Sequence, residues 1–254
     1  PELWICTVVN LIVVCLLVPY LLDKSIIVWL FTQIFGVANT PACLNGFATG
    51  SINGALWTIF TEVQLYLVLG FTYRKIKKLS TKKWIILLTA LAVCNISADF
   101  LSNMVGGVVS KGVERFFLTY ALWFFIGVFC YVKRECIVSV LTKYVPMMVL
   151  LYVIFYLVPV NIPGYYANIA IGSILPFLVM GGGYYLPEIR LPCDVSYELF
   201  LYHWIVLNIM VHFGLIEKLP WIVGLIVFIM ASFLLAWLSW RFVGKGKKKK
   251  GSIR

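Results

Sequence analysis

The sequence predicts an all-α fold, a polytopic bundle of transmembrane helices, and three observations predict it. Hydrophobic residues make up 62% of the 254, charged residues 12%, and mean hydropathy is +0.98; a soluble domain carries roughly half apolar and a quarter charged residues. The apolar residues fall in continuous runs near the ~20 residues that cross a ~30 Å hydrocarbon core. A β-barrel would instead show alternating segments of about ten residues. Third, Lys and Arg gather at the ends of the runs, as membrane orientation requires. These figures exclude a cytosolic globular enzyme, a disordered chain and a secreted disulfide scaffold.

Taken in order, the runs and their charged or Gly/Pro punctuation give eight spans, near 3–22, 53–73, 84–102, 116–132, 145–160, 166–181, 196–214 and 220–243. The stretch 25–38 is apolar but short, and reads as a re-entrant or interfacial segment. With that stretch not crossing, seventeen of the twenty-one Lys and Arg lie on the side of the N-terminus, 74–83, 133–144, 182–195 and the C-terminal tail. Only Lys24, Lys111, Arg115 and Lys218 fall on the other side. The positive-inside rule therefore makes the C-terminus cytoplasmic. Residues 1–243 form the transmembrane domain, and 244–254, with Lys247 to Lys250, form a basic tail suited to anionic headgroups. The net charge of +11 is explained by this pattern without nucleic acid.

Seven cysteines form no CxxC or Cys/His cluster, so they read as small hydrophobes and no metal site is expected. Pro1-Glu2-Leu3 enters an apolar run without an initiator Met or a signal peptide, which reads as an internal start.

An ionisable group inside a span is the feature most tied to function, because it costs roughly 2.5–3.5 kcal/mol on insertion scales and usually faces a cavity or a partner. Glu62 is the clearest. Thr58 lies one turn before it and Tyr66 one turn after, a polar stripe at i, i+4, i+8, with Asn53, Trp57, Thr61 and Gln64 on the neighbouring face. Glu62 reads either as a hydrogen-bonding tie between helices or as the wall of a water-accessible chamber. The second cluster runs from Ser196 to Trp204. Ser196 and His203 share one helix face, Glu198 and Tyr202 another. His203 has the chemistry of a general base or proton shuttle, while Tyr and Trp here also suit an interface anchor. His212 and Asp99 sit near span ends and read as interfacial and structural.

These stretches resemble the acyltransferase-3 family of integral-membrane O-acyltransferases. Asn53 to Leu67 is similar to that family's LWxLxxExxFYL helix, Ser196 to Trp204 to its SYxLYLxHWP segment, and Phe124 to Tyr131 to its FxxG(M/V)xxY span, in the same order across nearly the whole chain. The resemblance implies two further helices ahead of Pro1, the first carrying an Arg and a His central to acyl transfer, and so ten spans in all. His203 belongs to a different motif from that His. Trp240 to Gly246 resembles the closing WxxxExP pattern, with Gly244 where the family has Glu.

What the resemblance implies is transfer of an acyl group, commonly acetyl, from cytoplasmic acyl-CoA to a hydroxyl of a cell-surface or lipid-linked carbohydrate in the bacterial cytoplasmic membrane. Acetyl-CoA is then a co-substrate rather than a bound cofactor, and the partners are the bilayer, the donor and the carbohydrate. Glu62 and His203 are the candidate catalytic residues; Trp57, Thr58, Tyr66, Tyr197 and Tyr202 are the candidate substrate-binding ones. Two alternatives remain open. One is a transporter or flippase for glycans or small solutes, with Glu62 and His203 coupling protons; the other is an inactive scaffold.

Overall fold

A computed structural model describes residues 2–18, 23–34, 39–158, 162–165, 168–188 and 193–244. The basic tail from Lys245 onward, Arg190, and residues 35–38 of the short apolar stretch lie outside the described residues. Among the described residues every regular element is helical: α1 Glu2–Leu17, α2 Lys24–Ile34, α3 Trp57–Ile76, α4 Thr81–Met104, α5 Gly107–Glu114, α6 Phe117–Val132, α7 Arg134–Leu157, α8 Ile169–Tyr185, α9 Ser196–His212, α10 Leu215–Lys218 and α11 Trp221–Ser239. A π-helical turn, Trp240–Gly244, continues α11.

Four helical stretches are long and apolar enough to cross a membrane: Thr81–Met104, Val109–Val132, Arg134–Leu157 and Trp221–Gly244, each of 24 residues. At ~1.5 Å per residue an unbroken helix of that length, such as α4 or α7, spans about 36 Å, which exceeds a hydrocarbon core. This is the architecture of a membrane protein. α1 and α8 are apolar but shorter, at 16 and 17 residues. α2, with 11 residues, reaches only about 16 Å, in keeping with a segment too short to span.

The boundaries follow local chemistry. Ser80 caps α4 by accepting from the Lys83 amide, and Asn168 caps α8 by accepting from Ala170 at 2.9 Å. Asp23 accepts from the Ser25 amide at 2.6 Å at the start of α2, and that bond holds its carboxyl below the usual range. The largest departure from the sequence reading is α7. It starts at Arg134, not at 145, so the segment 133–144 is helix and a single residue, Lys133, joins α6 to α7. Lys143 and Pro146 suggest a boundary in sequence. Yet Lys143 is exposed with its ammonium over the Tyr144 ring at 5.5 Å, and a helix in lipid accommodates a proline when neighbouring groups take up the freed carbonyl. α5 lies in a stretch read as a loop.

The chain divides into two compact units, Pro1–Phe60 with Arg190–Arg254, and Thr61–Ile189. In the first, α9 packs along α11 and against α1. Its cores are Cys6, Leu56, Leu201, Tyr202 and Ile205, and separately Val14, Trp29, Leu44, Phe47 and Ile52.

In the second unit α7 packs on α8, α6 on α4 and α8, around Leu65, Trp84, Leu91, Phe125, Ile126 and Cys130. A buried amide pins this unit. Asn95, 0% exposed, donates to Thr119 O at 2.8 Å and accepts from the Tyr165 amide at 3.1 Å. Thr119 in turn donates to Val113 O at 2.9 Å. Asn95→Leu leaves the Tyr165 amide without its acceptor and removes the added bond to Thr119 O, and is expected to lower stability by about 2–3 kcal/mol. Detergent-titration unfolding checks this; an unshifted midpoint would show that Asn95 contributes nothing net.

Candidate functional site

The residues singled out from sequence fall in both units. In the first, the segment leading into α3 is built against α9. Asn208 of α9 donates through Nδ2 to Ser51 O and Ile52 O, each at 2.9 Å, and accepts through Oδ1 from the Thr49 hydroxyl at 2.7 Å and amide at 3.3 Å. Trp204 Nε1 donates to the same Thr49 hydroxyl at 3.1 Å. Two turns earlier, Asn53 donates to Leu201 O at 2.9 Å and accepts from the Ala55 amide at 3.1 Å. The Cys6 thiol also donates to Leu201 O, at 3.2 Å, and Asn10 reaches the Cys6 carbonyl at 3.0 Å. Cys6 is therefore more than the small hydrophobe expected from sequence.

The segment's path leaves no space for side chains at one point. A Cβ on Gly54 would collide with the Trp204 indole. Gly54→Val should expel the ring and cost about 2–3 kcal/mol. Gly70→Ala on α3, where a Cβ meets nothing within 4 Å, should be neutral or stabilising. Unfolding midpoints of both variants, compared side by side, test this; equal shifts would refute the steric account.

The α9 candidates divide between the two faces expected. Glu198 and Tyr202 are both buried, at 5% and 4% exposure, and the Tyr202 hydroxyl lies 3.3 Å from that of Ser239. A Cβ on Gly244 would approach the Glu198 carboxylate to 3.0 Å, so the glycine leaves room beside a buried acid. Ser196 and His203 both line a cavity of about 410 Å³ between α9 and α11, with Leu199, Phe200, Phe228 and Ser232. His203 Nδ1 sits 3.1 Å from Leu199 O. A carbonyl only accepts, so the contact assigns an N–H to Nδ1, and in the neutral ring Nε2 is then the basic nitrogen. Tyr197 is exposed, and Trp57 is half-buried as the first residue of α3.

The Thr58–Glu62–Tyr66 stripe is less uniform than its spacing implies. Thr58 donates to Ala55 O at 3.0 Å, finishing the turn into α3. Glu62 is exposed, and among the described residues its carboxylate has no hydrogen bond or ion pair. Tyr66 is exposed and meets Phe124 edge-on at 5.9 Å. Gln64 holds the start of α6, donating to Arg115 O at 2.9 Å and accepting from the Phe117 amide at 3.2 Å. His212 is exposed, its ring 5.5 Å from that of Phe47, and Asp99 accepts from Asn103 at 3.3 Å.

No family model matches the chain, and no curated protein and no solved structure matches it.

The sequence reading missed Asn208, Thr49 and Asn95. Each is an uncharged polar residue, and the weight given to ionisable groups hid them. The visible signal was an asparagine deep in an apolar run.

Proposed function

We propose that the chain is an integral-membrane O-acyltransferase that crosses the bilayer eight times with a cytoplasmic C-terminus, and that it moves an acetyl group from acetyl-CoA to a carbohydrate hydroxyl. The observation that carries this reading is the place of His203 in a cavity wall, with Nδ1 3.1 Å from Leu199 O. That contact assigns an N–H to Nδ1 and leaves Nε2 as the nitrogen available to act as a base. The resemblance of the α3 and α9 segments to membrane O-acyltransferases supports it.

In the reaction, Nε2 takes the proton of the acceptor hydroxyl as its oxygen attacks the thioester carbonyl. The C–O bond forms, the C–S bond breaks, and the imidazolium returns the proton to the departing CoA thiolate. The bond from Nδ1 holds the ring and supports the positive charge while it lasts. Glu62 has a separable role as an acceptor for sugar hydroxyls, since its carboxylate is not consumed by hydrogen bonds among the described residues.

Labelled acetyl-CoA supplied to membranes holding the full-length protein should yield acetylated glycan. Glu62→Gln should raise the KM for the glycan by about tenfold or more while expression is kept; the isosteric amide retains the shape and loses the charge-assisted bonds, worth about 1.5–3 kcal/mol. Glycan uptake without acyl transfer would instead identify a transporter.

A further inference from the structure

We propose that the seam between α9 and α11 is a binding site for a neutral, single-chain amphiphile bearing a hydroxyl, such as a long-chain alcohol, with the hydroxyl held by His203 and Ser232. Two cavities lie in this seam. The one described above measures about 410 Å³; a second of about 310 Å³ is lined by Leu207, Met210, Trp221 and Gly224, and Phe228 belongs to both walls. From Ser196 to Met210, α9 runs about 21 Å, more than one leaflet of a ~30 Å core. Ile229 and Phe233, which line the first cavity, are 54% and 50% exposed, so it opens outward rather than being sealed.

The polar groups in these walls specify the headgroup. Ser232 is 2% exposed, and among the described residues its hydroxyl has no hydrogen-bond partner. Buried hydroxyls are nearly always bonded, and a serine within a helix ordinarily donates to the carbonyl one turn back. The Ser196 hydroxyl is already engaged by Asp194 at 2.7 Å. What remains in the first cavity is the Ser232 hydroxyl, able to donate, and His203 Nε2, able to accept, among residues otherwise apolar; the Trp221 indole of the second cavity can only donate. A ligand hydroxyl accepts from Ser232 and donates to His203. An alkane satisfies neither, an ester or ketone only Ser232, and a carboxylate or phosphate would bring charge to walls holding no Lys or Arg. The site shares His203 with the proposed transfer reaction but does not rest on it, because binding needs no acyl donor.

The experiment uses the full chain in phosphatidylcholine nanodiscs, without acyl-CoA, photolabelled with a diazirine-bearing hexadecanol and mapped by peptide mass spectrometry. Label should concentrate on α9 and α11. Unlabelled hexadecanol should compete about fivefold or more better than hexadecane, the worth of about one hydrogen bond. Ser232→Ala and His203→Phe should remove that preference. Gly224→Leu fills the second cavity from a position where a Cβ meets nothing within 4 Å, and should cut labelling without loss of fold. Equal competition by alcohol and alkane in the unaltered protein overturns the proposal. So do label spread over all helices, label unchanged by Gly224→Leu, and crosslinking of two copies through α11.

Discussion

Asn208→Leu is expected to lower stability by about 2–4 kcal/mol. Leucine matches the asparagine in size, so the loss isolates hydrogen bonding from packing. Four bonds disappear, and the carbonyls of Ser51 and Ile52 lose their partner on α9. The buried position of Asn208, 2% exposed, keeps water from replacing it. Bonds between membrane helices average roughly 0.6 kcal/mol each and reach about 2, which sets the range. Detergent-titration unfolding followed by tryptophan fluorescence measures it, because Trp204 shares Thr49 with Asn208. Asn208→Asp keeps the acceptor and loses both Nδ2 donors, so it should fall between wild type and leucine. A loss under about 1 kcal/mol for leucine would mean that the segment from Thr49 to Ile52 is held by packing alone.

That clamp shows where sequence reading succeeds and fails. Continuous apolarity located α1, α3, α4, α6, α8, α9 and α11, because burial in hydrocarbon rewards length and composition, which a sequence displays openly. It misplaced the start of α7, since a lysine and a proline within one turn look like a terminus unless the neighbouring bonds are visible. Helical spacing correctly put Ser196 with His203, and Glu198 with Tyr202, since faces follow from a period of 3.6. It could not show that Thr58 and Gln64 are spent on the backbone: the partners, Ala55 O, Arg115 O and the Phe117 amide, are main-chain groups with no signature in side-chain identity. Nor could it show which nitrogen of His203 is occupied. The insertion cost that singles out Glu62 applies, at smaller size, to Asn95 and Asn208 as well. Those amides turn out to bind helix to helix and helix to loop, while Glu62 is exposed.

His203→Gln should reduce acyl transfer by about 10²–10⁴-fold, mainly in kcat, if the imidazole is the base. Glutamine has a similar reach and an amide N–H that can donate to Leu199 O, while the basicity of the imidazole is removed. A merely structural histidine would tolerate this exchange, with kcat unchanged and a small shift in unfolding midpoint. His203→Phe separates the two roles in the other direction. It keeps the aromatic body that meets Phe200 at 6.2 Å and Trp204 at 6.0 Å, and loses both nitrogens. Equal loss of kcat in both variants, with unchanged unfolding midpoints, assigns the effect to the base. Loss only in the phenylalanine variant would assign it to the bond with Leu199 O, which glutamine retains. Full activity in both removes His203 from the chemistry, and with it the observation on which the transferase reading rests.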